Sequence, residues 1–133
     1  MKQTLYFATF MVVLHVMTSC SSKMTFGTSV TVPSASGTVT FKTDKNKNYI
    51  MDVNVRNLAP PKNLTPSKNT YLVWMESDEK GLQKLGQLLP SGKMLKGNLK
   101  ATSVEKPKLV FITAEDYVDA LTPEGTVILT TRK

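Results

Sequence analysis

The chain has 133 residues, with 17 lysines and arginines against 10 aspartates and glutamates, a formal net charge of +7, one cysteine and one histidine. A single cysteine excludes an intrachain disulfide, so the fold has to rest on packing. The same counts exclude zinc sites built from closely spaced Cys and His ligands, and a lone histidine leaves little for Ser-His-Asp or Cys-His catalysis.

The N-terminus begins with Lys2 and an apolar run over residues 5–17, followed by the small polar stretch Thr18-Ser19-Cys20-Ser21-Ser22. At about 1.5 Å per residue such a run covers only about 20 Å of a bilayer core about 30 Å thick. It therefore reads as a secretory signal peptide over residues 1–19 rather than a membrane span. Cys20, placed directly after small residues, resembles the lipobox cysteine of bacterial lipoproteins. That resemblance implies cleavage before Cys20, loss of His15, and a cysteine carrying a diacylglyceryl group and fatty acid such as palmitate. The implied partner is the lipid bilayer, and the implied location is the cell envelope, facing the periplasm or cell surface. Ser21, in place of an aspartate after the cysteine, resembles an outer-membrane destination.

Residues 20–37 are rich in Ser and Thr and read as the lipidated cysteine and a flexible tether, with residues 29–32 as a candidate first strand. Residues 38–133 then read as one domain, since little more than a hundred residues make one core rather than two. Val39 and Phe41 alternate with threonines and a lysine; Tyr49, Met51, Val53 and Val55 alternate with Asp52, Asn54 and Arg56. A period of two with one apolar face predicts half-buried strands. Between them, Asp44-Lys45-Asn46-Lys47-Asn48 superficially matches the start of a calcium loop. Tyr49 stands where the loop needs Gly, and Val55 where it needs Glu, so a hairpin turn is expected.

Residues 59–70 carry three prolines and read as a loop. Tyr71-Leu72-Val73-Trp74-Met75 is apolar at five consecutive positions and predicts a strand covered on both faces, with Trp74 structural rather than an exposed sugar platform. Residues 77–81 form a polar turn. Leu82, Leu85 and Leu88 are ambiguous between helix and strand, with Gly86 marking a bulge or a close neighbouring strand. Met94, Leu95 and Leu99 suggest a further short strand. Residues 109–114 and 126–131 are β-branched and predict strands. Residues 116–121 suggest one short helical turn before Pro123, and Gly125 supplies a turn into the last strand. Glu115 could join Asp116 and Asp119 at a cation, but a solvated turn is the expected environment.

This pattern gives seven or eight short strands and an all-β sandwich or barrel. Four segments also resemble, in order, the C-terminal extracytoplasmic domain of anti-sigma-K factors. They are Tyr71-Leu72-Val73-Trp74-Met75, Lys84-Leu85-Gly86-Gln87-Leu88, Phe111-Ile112-Thr113-Ala114-Glu115, and the stretch from Thr122-Pro123-Glu124-Gly125 into Val127-Ile128-Leu129. With Val55-Arg56-Asn57-Leu58-Ala59-Pro60 the likeness spans residues 38–131. It implies an immunoglobulin-like antiparallel β-sandwich, with Tyr71, Trp74, Gly86, Glu115, Pro123 and Gly125 as fold determinants. It does not imply sigma-factor binding, which in that family belongs to a separate cytoplasmic domain.

Function is read mainly by exclusion. Lys93, Lys96, Lys100, Lys106 and Lys108 face only Glu105 across one segment; they could attract anionic lipid headgroups or polyanionic glycans, but are expected to be solvated or to guard strand edges. No nucleic-acid partner, cofactor or metal is expected. Paired carboxylate chemistry from Glu76, Asp78 and Glu79 would need a pocket that an exposed turn does not offer. The expectation is a non-enzymatic lipoprotein that binds or senses another envelope protein or peptide, by strand addition at an open sheet edge. Glycan binding is the alternative, with a hydrolase behind it.

Overall fold

The computed structural model describes residues 20–132, and the signal-peptide reading of residues 1–19 lies outside them. The chain forms eight strands: β1 (Ser22–Thr25), β2 (Ser36–Thr43), β3 (Tyr49–Arg56), β4 (Thr70–Ser77), β5 (Gly81–Leu88), β6 (Gly97–Ser103), β7 (Leu109–Glu115) and β8 (Thr126–Thr130). They make two four-stranded antiparallel sheets, ordered β1-β2-β3-β6 (sheet 1) and β5-β4-β7-β8 (sheet 2). A β2-β3-β6 layer facing β5-β4-β7-β8 is the immunoglobulin-like sandwich, here with β1 added at one edge.

Alternation decides which side chains enter the core. Val39 and Phe41 of β2 and Met51, Val53 and Val55 of β3 point inward from sheet 1. They meet Tyr71, Val73 and Met75 of β4, Val110, Ile112 and Ala114 of β7, and Leu129 of β8. Phe26, Val32 and Leu58, from the connections, join the same core. The opposite face of β4 is also covered: Leu72 and Trp74 pack with Phe111, flanked by Leu109 and Ala120. That is why β4 reads as a continuous apolar run rather than an alternating one.

The two sheets touch along both flanks. On one, β1 runs past sheet 1 to meet sheet 2: Phe26 bridges Thr131, the Gly27 N–H donates to the Thr130 carbonyl (2.9 Å), and the Arg132 N–H to the Thr25 carbonyl (3.0 Å). On the other, β5 lies along β6, and the Ser103 hydroxyl donates to Gln83 Oε1 (3.3 Å).

Three expectations are corrected. Residues 22–25 are not a loose tether but β1, in register with Phe41 to Thr38 of β2. Residues 29–32 are a turn instead of a strand, with the Val32 N–H donating to Ser29 Oγ (2.9 Å). Residues 116–121 make no helix; they hold a tight turn in which the Ala120 N–H reaches the Tyr117 carbonyl (3.4 Å). The ambiguous leucine segment is β5. Of Met94, Leu95 and Leu99, only Leu99 lies in a strand; the other two sit in the turn before β6, where Leu95 has a φ of 46°.

Candidate functional site

Cys20 is exposed and one residue ahead of β1. It emerges at the end of sheet 1 that carries the β2–β3 hairpin, since Ser22 stands opposite Phe41. The hairpin holds its shape through Asp44. One carboxylate oxygen accepts the N–H groups of Asn46 (2.8 Å) and Asn48 (2.9 Å), so the acid that resembled a cation ligand closes its own turn. Phe41 and Tyr49 pack edge to face across the base of the hairpin, 6.2 Å between centroids.

A groove of about 790 Å³ lies at the other end of sheet 1. Its wall is the outward row Thr25, Thr38, Asn54 and Asn98, one residue from each strand, together with Ser36 and Arg56. Leu89 and Lys96 from the β5–β6 turn form its lip. The volume falls in the range of ligand-binding clefts. Its polar groups are set by mutual contacts. Asn98 Nδ2 donates to Asp52 Oδ1 (2.6 Å) and Asn54 Oδ1 (2.7 Å), and Arg56 Nε donates to Ser36 Oγ (3.1 Å). Gly37 keeps β2 tight against β3 here, because a Cβ would sit 2.3 Å from the Asn54 carbonyl oxygen. Amides, hydroxyls, a guanidinium and an ammonium along one side of an open groove suit an extended polar chain with carbonyl or carboxylate acceptors.

The residues expected to determine the fold gather in sheet 2. Trp74 is 0% exposed, and its indole N–H donates to Thr113 Oγ1 (2.8 Å). Thr113 in turn donates to Glu115 Oε1 (2.6 Å), and the same carboxylate accepts the N–H groups of Glu124 (3.1 Å) and Gly125 (3.0 Å). Glu115 is 3% exposed, so the expected solvated turn is wrong; the carboxylate is a buried clasp that fastens the β7–β8 connection. Gly125 is demanded by proximity rather than by turn geometry, since a Cβ there would lie 1.7 Å from the Ala114 carbonyl oxygen. Pro123 is half-buried just ahead of these donors. Lys84 closes the outside: its ammonium donates to the Val118 and Ala120 carbonyls and stands 6.0 Å from the centre of the Trp74 ring.

Tyr71, also 0% exposed, donates its hydroxyl to the Ala59 carbonyl (2.6 Å), tying β4 to the proline-rich loop. Burial pushes its phenol up to about 12. Gly86 flanks a register shift opposite Val73 and Trp74, and a Cβ on it would come within 3.1 Å of Leu99 in β6. The remaining acids do not converge. Asp116 pairs with Lys68 (3.0 Å) and Asp78 with Lys108 (2.6 Å), and among the described residues no group of three or more His, Cys, Asp or Glu is placed to hold a metal ion. The lysines that cluster in sequence are dispersed. Lys96 lines the groove, Lys100 lies on the outer face of β6, and Lys108 is in the connection to β7.

The groove is what the sequence reading missed. Alternation and the expected hairpin place Thr38 and Asn54 outward on neighbouring strands, but do not show that β6 brings Asn98 beside them. The clasp had a visible signal, because Thr113 and Glu115 are two apart on one strand face. No protein-family model, curated protein or solved structure matches this chain.

Proposed function

We propose that this chain is a lipid-anchored protein of the cell envelope and acts as a non-catalytic binding module for an extended segment of another envelope protein or peptide. Acylated Cys20 holds it in a membrane, with the outer membrane favoured by Ser21, and the domain faces the periplasm or cell surface. The observation that carries this reading is the placement of the exposed cysteine and the polar groove at opposite ends of sheet 1. Seven residues of β2 separate the two ends, roughly 23 Å at 3.3 Å per residue. The likeness to the extracytoplasmic domain of anti-sigma-K factors belongs to the same proposal. Its motifs fall on β4, β5, β7 and β8 and include the Glu115 clasp. Contact with a sigma factor or nucleic acid is no part of it.

Groove binding is the favoured mode, and strand addition at the unpaired β5 or β6 edge remains the second. A glycan platform on Trp74 is disfavoured by its complete burial.

Two measurements test the proposal. Cys20→Ser should move the protein from the membrane fraction to the soluble envelope or stall its processing; a variant that is processed normally and stays in the membrane overturns the anchor. A photo-crosslinking residue at Thr38 should capture a discrete partner in intact cells, and Arg56→Glu should abolish that adduct. An adduct indifferent to Arg56→Glu overturns the groove.

A further inference from the structure

Ser21 alone stands between Cys20 and β1. One residue spans at most about 3.6 Å, so acyl chains on Cys20 hold the start of β1 at the level of lipid headgroups. The surface around that point is basic. Lys23 shares an outward row with Thr40, Asp52 and Lys100 across the four strands of sheet 1. Lys42 and Lys100 flank the same shallow depression as Ser21. Lys45 and Lys47 stand in the hairpin beyond, and all five lysines are exposed. The ion pairs among described residues are Lys68–Asp116 and Lys108–Asp78, so none of the five is in one. The acids alongside are occupied. Asp52 accepts the amides of Asn54 and Asn98, and Asp44 closes its turn. Counting Glu105, which follows β6 at the same end, five lysines against three carboxylates leave two positive charges in excess.

We propose that this end of sheet 1 docks on anionic phospholipid headgroups through Lys23, Lys42, Lys45, Lys47 and Lys100, and thereby sets how the domain stands on its membrane. The inference rests on the anchored reading above. Screening makes the effect local. At physiological salt the Debye length is about 8 Å. The hairpin lysines sit at the headgroup plane, and Lys23 and Lys100 stand one outward row from the groove wall at Thr25 and Asn98. Arg56, at the far end of the groove, is six residues along the sheet from Lys42, about 20 Å away. A membrane charged at its surface therefore draws the hairpin end down and leaves the Arg56 end of the groove facing outward.

The test uses the processed chain purified from a bacterial host, with mass spectrometry first reporting the lipid on Cys20. The protein is anchored in vesicles of phosphatidylcholine alone or with phosphatidylglycerol, and acetylation is followed lysine by lysine. A bare thiol on Cys20 would defeat the anchored reading but not this one. The same measurement then proceeds with Cys20, the chain's single thiol, coupled to a maleimide-bearing lipid. Phosphatidylglycerol should slow acetylation of the five lysines several-fold, high salt should restore it, and Lys62 and Lys93 at the far end should be unaffected. Replacing Lys42, Lys45 and Lys47 together by Gln should leave Lys23 and Lys100 reacting alike on both vesicles. Equal rates on the two vesicles for the unaltered chain, or equal slowing at Lys62 and Lys93, would overturn the proposal.

Discussion

Glu115 shows how a single side chain is misread when its partners are distant in sequence. Beside Asp116 and Asp119 it looks like part of an exposed acidic turn, yet its donors are the N–H groups of Glu124 and Gly125 and the Thr113 hydroxyl. Local charge pattern carries no information about backbone donors ten residues downstream. Glu115→Ala would leave those buried donors unpaired, at about 1–3 kcal/mol each. We expect a stability loss of about 3 kcal/mol or more by denaturant titration. The near-ultraviolet signal of Trp74 should change with it, because Thr113 loses its acceptor while still receiving the indole N–H. A variant with unchanged stability would show that the clasp is dispensable. Tyr71 gives a second test at this scale. Its folded value, about 12, lies above the ordinary 10.0. Between these pH values the unfolded chain sheds the phenolic proton while the folded one keeps it. This contribution to stability is therefore complete below about pH 10 and falls away as pH approaches 12. Tyr71→Phe should lose about 1 kcal/mol near neutrality from the missing hydrogen bond, and should remove the last phenolic step from the alkaline titration.

At the scale of elements, the strands that announce themselves are those whose own side chains build the core. β3, β7 and β8 are β-branched or alternating, and β4 is a continuous apolar run covered on both faces. β1 is different. Ser-Lys-Met-Thr has one sizeable apolar side chain, Met24, and the strand forms because β2 offers it a backbone edge and β8 receives its continuation. Such a strand is a tertiary product and leaves little trace in composition. β5 was ambiguous for a related reason: its register shift at Gly86 interrupts the alternation that would have identified it. If β1 is held by its ladder, Met24→Pro should be costly, since proline removes a ladder donor and Met24 packs against the core. We expect a lower melting temperature and rapid amide exchange in the partner residues Thr38 to Phe41. Unchanged exchange there would mean β1 adds little.

For the whole molecule, an all-β sandwich or barrel was legible from strand count and turn spacing, and the choice of two sheets came only with the family resemblance. The groove was not legible, because it needs β6, more than forty residues on from β3, to lie beside that strand, and β1 to form at all. The acids were legible as a failed calcium loop but not as to their fate. The oxygens of Asp44 and Glu115 accept donors from the protein itself. Chelation should accordingly leave the melting temperature where it is, and a drop on adding EDTA would show that a cation competes for these oxygens.

The strand that leaves Cys20 is paired along one side with β2 and, at its far end, with β8. In antiparallel pairs the hydrogen bonds run perpendicular to the strand. A pull along β1 therefore loads the ladder from Ser22 to Thr25 in shear, several bonds at once rather than one after another. Under the proposed anchoring, Cys20 is thus a mechanical mount. Force applied at the groove would be borne by the body of the sandwich, and the joint would yield only when the whole short ladder slips.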